Sequence, residues 1–409
     1  MTEILEEEMI KIKMYPAKNG DSFLISIGNT EKKHILIDCG YIDTYESFLK
    51  KDLLELSRCN EKISLMIISH IDSDHISGAI KFIEDNTNEE IIKIDEVWFN
   101  TYRHLQISKK DGVELQDSER AILETEVALG KSYLTRVNQD EITKEEISAK
   151  QGSTLGALLL KGKYKWNNKF DGRAITTNSN QLVTIDNIKI NVLSPNEEKL
   201  IKLGGDWVKE LKKKKWNFTV NENELFDDAY EFMQMMLEDE AIITVSEISK
   251  ENNIKTNKLI EYIEKEYPID ESANNGSSIA ILISFNNKKL LFLADAHPDI
   301  IVDNLKKLGE EKFDLVKVSH HGSLKNTSNE LAKILCSNNY LFSTNGNKHH
   351  HPDAQTIIKL LSAHSKIKKN LFFNYRTQTS IIYEESELKE RYNYEIIYGD
   401  NEEPLIIEL

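Results

Sequence analysis

The stretch IISHIDSDHISG, residues 67–78, decides how the rest of the chain is read. Two histidines and two aspartates, His70, Asp72, Asp74 and His75, fall within six positions directly behind an apolar run at 65–68. Read as a strand, KISLMIIS delivers them into a loop at its carboxyl end, where α/β folds place ligands. Imidazole and carboxylate are common ligands of divalent metals. Six residues do not easily wrap four ligands around one ion, so two adjacent ions sharing the loop is the easier geometry. His70 and Asp72 then face one ion, and Asp74 and His75 the other. The plainer reading is a solvated turn in which Asp74 caps the helix that follows. A single aspartate fits that; two with flanking histidines do not.

Three more apolar strands run into the same residue types. In LLFLADAHP (290–298) Asp295 closes a strand that carries no other charge after Lys289. A carboxylate there needs a partner, and a bridging metal would provide one; a helix N-cap is the alternative. His297, two residues on, is a candidate for the same cleft. In VKVSHHGS (316–323) His320 and His321 precede Gly322, which permits a tight turn. In FSTNGNKHHHP (342–352) one of His349, His350 and His351 is the expected ligand, and His351, before Pro352, is the choice. One such cluster arises by chance; four of one kind suggest one dinuclear site.

The rest of the chain bounds the function. Its 409 residues suggest two or three domains, or one large domain with insertions, and 40% hydrophobic residues suffice for a sizeable core. A formal net charge of −16 repels phosphate backbones and acidic membranes at long range, so nucleic-acid contact requires a local basic patch or bound cations. Cys39, Cys59 and Cys336 form neither a disulfide framework nor a zinc finger, which fits a reducing compartment. The opening MTEILEEEMIKIKMYP has no apolar h-region, and no apolar run approaches the ~20 residues of a membrane span. These features predict a soluble, cytoplasmic protein.

Along the chain, 9–40 alternate like strands, a helix is expected at 45–58, and IDEVWFN reads as another strand. KYKWNNKF, RAITTN, QLVTIDN and IKINVLSP read as short β runs. Residues 103–160 and 196–268 are mostly helical and charged, and are read as insertions or caps on a β-rich core. The last third alternates strand and helix. The expectation is α/β with two sheets, not a string of independent domains.

Taken together, these motifs resemble the metallo-β-lactamase superfamily, and within it the hydrolase domain of ComEC-type DNA-uptake proteins and their stand-alone soluble relatives. AKNGDSFLI and ILIDCG fit the N-terminal hairpin, with Asp38 at the structural aspartate. His70, Asp72, Asp74 and His75 have that branch's H-x-D-x-D-H form. Asn275 and Ser278 match its N-x-x-S, Asp295 its bridging aspartate (with Ala294 for the usual glycine), VSHHGS its H-H-G-S and HHHP its closing H-P. The resemblance covers roughly 9–100 and 272–360. Where the superfamily has an isolated histidine before the bridging aspartate, this chain reads SANNGSS.

The resemblance implies an αββα sandwich with two charged helical insertions: 1–195 as one half with an insertion at about 103–160, 196–270 as a second helical insertion or cap, and 271–409 as the other half. It implies His70, Asp72, Asp74, His75, Asp295, His320 and His351 as metal ligands, with Asp38 and Asn275 orienting them from behind. Two divalent ions, Mn²⁺ or Zn²⁺ with Mg²⁺ also open, would be the cofactors; the oxygen-rich set favours the harder ions. Asp74 is placed in the catalytic machinery, and His321 or His297 as donor to the leaving oxygen. DNA phosphodiester cleavage is the leading activity, with a place in anti-phage defence among such relatives and a protein partner on the helical insertions. KGKYKW (161–166) and KKKKW (212–216) are candidate single-strand tracks, against a reading as solvated lysines. Two other functions stay open: hydrolysis of a small phosphoester or signalling nucleotide, and a non-catalytic, metal-bound component that binds a partner.

Overall fold

The computed structural model describes residues 9–105, 154–179, 181–213, 261 and 263–409. In β1 (Ile10–Met14), Ile10, Ile12 and Met14 are buried while Lys11 and Lys13 turn towards solvent. β2 (Ser22–Ile27) and β3 (Lys33–Cys39) follow as antiparallel neighbours. β4 (Ile63–Ile67) is buried at every position, as befits a strand covered on both faces. It lies parallel to β3 and to β5 (Val97–Trp98).

The second sheet starts as an antiparallel run of β6 (Leu182–Ile185), β7 (Ile188–Ser194), β8 (Ala280–Phe285) and β9 (Lys288–Phe292). β10 (Lys312–Phe313) leads into β11 (Leu315–Lys317), and β12 (Cys336–Ser337) into β13 (Asn339–Phe342). β11 and β13 extend the sheet in parallel beyond β9, followed by β14 (Lys369–Phe373) and β15 (Tyr394–Tyr398). β16 (Leu405–Glu408) crosses back to pair with β1. The strand orders are β16-β1-β2-β3-β4-β5 and β15-β14-β13-β11-β9-β8-β7-β6.

Three apolar cores define the layers. One lies between the sheets, where Phe23, Ile35 and Leu65 meet Ile281, Leu290 and Leu341. Residues one position along the same strands face the other way: Leu24, Leu36 and Met66 pack under the helices of the first sheet, and Leu282, Leu291 and Phe342 under those of the second. The alternation of each strand thus serves two cores at once, and the result is helix, sheet, sheet, helix. β4, β9, β11 and β13 end at one edge of this sandwich. The Ile279 amide donates to the Ser69 carbonyl there (2.8 Å), joining the sheets.

Two sequence expectations are corrected. KYKWNNKF and RAITTN are not strands: Trp166 makes a single bridge to Val97, and Asn168–Phe170 is a 3-10 turn. The buried Asn167 side chain is the reason, because it bonds the Phe99 amide and carbonyl and the Arg173 carbonyl, clasping the segment as a loop. The helix expected after the His/Asp cluster begins inside it, at Ser73, and runs to Glu89. Most of the two segments expected to be helical insertions, including KKKKW from Lys214 onward, lies outside the described residues. Their described ends, a helix over 154–161 and the helix Glu197–Lys213, place Leu155, Leu158, Leu200 and Leu203 in the core under the first sheet. Among the described residues, no helix is long and apolar enough to cross a membrane.

Candidate metal centre

The loop after β4 is anchored from below. Asp38, fully buried at the end of β3, accepts from the Ser69 amide and hydroxyl (both 2.7 Å) and from His75 Nδ1 (2.8 Å). Asp72 occupies the N-cap position of the helix Ser73–Glu89 but makes no side-chain capping bond, so the aspartates are not explained as caps. Asp74 and His75 are in its first turn. Two glycines let the helix end come close. A Cβ at Gly78 would lie 2.2 Å from the Cys39 carbonyl oxygen, and one at Gly20 would lie 1.9 Å from that of Asp74.

The strand ends of the second sheet supply the opposite wall. Ala294, where the resemblance has glycine, adopts φ 45°, and His320 and His321 take φ 45° and 56°. Left-handed conformations cost a non-glycine residue roughly 1–2 kcal/mol each, and such strain concentrates at functional sites. It is used to aim side chains here. Asp295 Oδ2 lies 3.8 Å from His70 Nε2, 3.6 Å from His75 Nε2, 3.7 Å from His320 Nε2 and 3.6 Å from His321 Nε2.

The backs of the four rings show why these nitrogens are available. His75 Nδ1 donates to Asp38, and His321 Nδ1 donates to the Ser343 carbonyl (2.8 Å). The Ser69 hydroxyl gives its proton to Asp38, so its oxygen accepts from His70 Nδ1 (3.0 Å). The Asn326 amide donates to Asp270 and to the Asp295 carbonyl, so its Oδ1 accepts from His320 Nδ1 (2.9 Å). Each Nδ1 thus has an acceptor, so each ring, when neutral, keeps its proton there and turns an Nε2 lone pair inward, the tautomer a ligating imidazole needs. The Nε2 atoms of His70, His75 and His321 are buried and have no hydrogen-bond partner. The separations are too long for hydrogen bonds, whereas two ligand atoms on one cation at ~2.1 Å stand roughly 3.4 Å apart. The donor set fits divalent metal: the ligand atoms of His70, His75 and Asp295 lie within 4.8 Å of one another, as do those of Asp74, His75 and His321.

The other expected site residues flank this cluster. Asp74 Oδ2 lies 3.6 Å from His321 Nε2 and accepts from the Asn19 amide (3.0 Å). Asp72 Oδ2 lies 3.8 Å from His70 Nε2, and its Oδ1 accepts from Asn274 (2.8 Å). Asn275 Nδ2 donates to Asp270 (2.6 Å) and passes 3.3 Å from His320 Nδ1. The His351 ring centroid is 5.4 Å from that of His320, with Nδ1 3.4 Å from Asp353; His350 is exposed. His297 stands apart. Its Nδ1 takes a bond from Lys199 (3.0 Å), and its Nε2 is 4.0 Å from Asp270, behind His320 rather than among the rings.

Electrostatics follow from this crowding. Burial alone would raise the Asp295 carboxyl, but His321, His320 and His75 hold it well below the usual range. Asp74 is likewise held down against burial, by His321 and His75. In return, Asp295 and Asp38 outweigh burial and lift His75, and Asp295 and Asp21 lift His321 to about 9.

Sequence reasoning missed Asp21 and Lys317. They form a buried ion pair beneath the cluster, where Lys317 Nζ lies 3.9 Å from Asp295 Oδ1 and donates to the Ala294 carbonyl (3.2 Å). Burial raises Asp21, but Lys317 and His321 bring it down to about 2. A lysine inside the apolar run LVKVS was the available signal, because a buried ammonium requires a carboxylate. Asn19, Ser69, Asp270 and Asn326 were missed too, since orienting side chains have no spacing rule. The KGKYKW track is not supported: Trp166 is buried and Tyr164 packs inward with its hydroxyl on Asn86, so neither ring offers a stacking face.

No curated protein matches the chain. Among solved structures, a mutant of CmlA beta-hydroxylase is similar over 100% of this chain and 54% of that one (10% identity, TM-score 0.36). A long form of RNase Z from yeast is similar over 98% and 49% (11% identity, TM-score 0.33). The chain thus spans about half the length of these structures. Residues 15–142 match the model of the metallo-beta-lactamase superfamily, and the two sheets with helices outside are consistent with the fold of that superfamily.

Proposed function

We propose that this chain is a metal-dependent hydrolase of the metallo-β-lactamase type, acting as a phosphodiesterase or nuclease on DNA through a dinuclear site. The observation that carries the reading is Asp295 Oδ2 set among four inward Nε2 atoms whose protons are all committed on the far side. His70, Asp72 and His320 would hold one ion, Asp74, His75 and His321 the other, and Asp295 would bridge. Two such ions supply Lewis acidity and a water acidic enough to attack phosphorus near neutral pH. The carboxylates favour Mn²⁺ over Zn²⁺.

The chain's own residues fix positions. Asp38 and Ser343 orient His75 and His321, Asn19 holds Asp74, and Asn274 holds Asp72. His321 is a ligand in this reading rather than the proton donor first expected, because its Nδ1 is bonded to the Ser343 carbonyl and its buried, unpartnered Nε2 faces Asp295 and Asp74, and His297 is committed to Lys199. Three loops at the site edge carry an exposed lysine, Lys18, Lys325 and Lys348, of which Lys18 pairs with Asp43 (2.7 Å), a local cationic rim for a phosphate backbone despite the net charge of −16. That same net charge favours a second reading, hydrolysis of a small phosphoester. A place beside defence proteins rests on the ComEC-type resemblance alone.

The test is incubation with Mn²⁺ and single-stranded DNA, plasmid, RNA or bis-p-nitrophenyl phosphate. Polymer cleavage that disappears in Asp74→Ala and His75→Ala supports the nuclease. Turnover of the small ester alone supports the second reading, and bound metal without turnover supports a non-catalytic component.

A further inference from the structure

The wall behind His320 is built differently from the rest of the site. Asp270 Oδ2 receives bonds from Asn275 (2.6 Å) and Asn326 (3.1 Å) and lies 3.6 Å from His320 Nδ1. Asn326 can present Oδ1 to His320 only while its amide nitrogen is occupied by Asp270 and by the Asp295 and Ala296 carbonyls. Asp270 therefore sets the orientation of Asn326, and Asn326 sets the tautomer of His320.

Asp270 is held by the Ser272 amide on its Oδ1 (2.9 Å) and through its own amide on the Lys325 carbonyl (3.1 Å), and His297 links it to the helix Glu197–Lys213. Lys199 Nζ can only donate, so its 3.0 Å contact makes His297 Nδ1 an acceptor and leaves the ring proton on Nε2, which has no hydrogen-bond partner and stands 4.0 Å from Asp270 Oδ2, an electrostatic contact only. Lys199 also pairs with Asp299 (3.0 Å). One turn on, Lys202 bonds the Glu271 carbonyl (2.6 Å). The same helix packs on Ala273–Gly276, which carries Asn274 and Asn275. Gly276 is fitted to the His297 ring, since a Cβ there would lie 2.9 Å from Cε1.

We propose that Lys199 and His297 are positioning residues for the metal centre: acting through Asp270 and Asn326, they keep His320 Nε2 turned towards Asp295. This rests on the metal reading of the site. It gives the helix Glu197–Lys213 an indirect hold on one ligand, with no contact to substrate required.

The experiment is Mn²⁺ titration of the full-length protein by calorimetry, with nitrogen-15 spectra of the imidazoles. Wild-type protein that binds no Mn²⁺ overturns the metal reading and this inference with it. If wild type binds, Lys199→Met is expected to weaken Mn²⁺ binding about three- to tenfold, less than the 10–100-fold typical of a direct partner of a ligand. Asp270→Asn is expected to do so more strongly and to move the His320 proton off Nδ1. Lys199→Arg should restore binding, and adding His297→Gln to Lys199→Met should cost little further. Gly276→Ala, which displaces the ring without removing a charge, should act in the same direction. Wild-type affinity in Lys199→Met, an equal loss in Lys202→Met, or full additivity of Lys199→Met with His297→Gln would contradict the inference, since a general loosening of the helix would then explain the data.

Discussion

His75 and His320 present the same nitrogen to the same carboxylate oxygen, yet they are held by different kinds of structure. Behind His75 stands Asp38, fully buried, at the end of a strand, with both oxygens committed to Ser69 and the ring. Behind His320 stand Asn326 and then Asp270, whose side chain is 12% exposed and is shared among Asn275, Asn326 and the Ser272 amide. The difference teaches that one side of the centre is fixed by the fold and the other by side-chain contacts that can be loosened without unfolding it. An ion held mainly by His75, Asp74 and His321 should therefore be the tighter of the two.

The comparison is broken most severely at Asp38. Asp38→Ala strands the Ser69 amide and the His75 Nδ1 proton in a dry interior, and should cost about 3 kcal/mol or more, with metal affinity falling 10–100-fold. Chemical denaturation and calorimetry check this; a stable variant with normal affinity would mean the two walls do not differ. Gly20→Ala comes next, because its Cβ would lie 1.9 Å from the Asp74 carbonyl oxygen. A destabilisation of about 1–3 kcal/mol is expected, together with loss of ion binding at Asp74, visible in the same measurements.

The pH dependence sharpens the picture. In metal-free protein His321 titrates at about 9, above the ordinary ~6.5. The folded state binds that proton more tightly, so its stabilisation is complete below about pH 6.5 and is lost as pH rises through about 9. Ligation needs the neutral ring, so loaded protein follows the opposite trend. The melting-temperature gap between Mn²⁺-loaded and EDTA-treated protein should widen from pH 6.5 to 9. A constant gap would contradict the placing of His321 among the ligands. The smallest effect is expected at the rim. Lys18→Glu, Lys325→Glu and Lys348→Glu should each weaken DNA cleavage a few-fold, lower its salt dependence and leave a small ester unaffected; equal loss on both substrates would argue against a polyanion track.

The sandwich and the cluster were legible to different depths. Period-2 alternation in 9–40 and the apolar run before His70 mark strands because each face must find a core. Four strand ends bearing His or Asp point to one edge for the same reason. What spacing did not reveal is what lies behind the ligands. Asn326 and Asp270 are 56 residues apart and meet only through folding. Asp21 and Lys317 come from different sheets. His297 was grouped with Asp295 by proximity in sequence, but it sits at the N-cap position of the helix Pro298–Leu308 without a side-chain capping bond, and its ring turns to Lys199. KYKWNNKF looked like a strand because its aromatics are β-prone, whereas the single buried side chain of Asn167 decides its path.

The central claim is that His70, His75, His320, His321 and Asp295 surround a shared pair of cations. Anomalous diffraction at the manganese edge from Mn²⁺-soaked crystals tests it most directly. Two peaks flanking Asp295 Oδ2, the one beside Asp74, His75 and His321 the more fully occupied, are the expected result. A single peak remote from Asp295, or none with the four Nε2 atoms turned apart, would contradict the account.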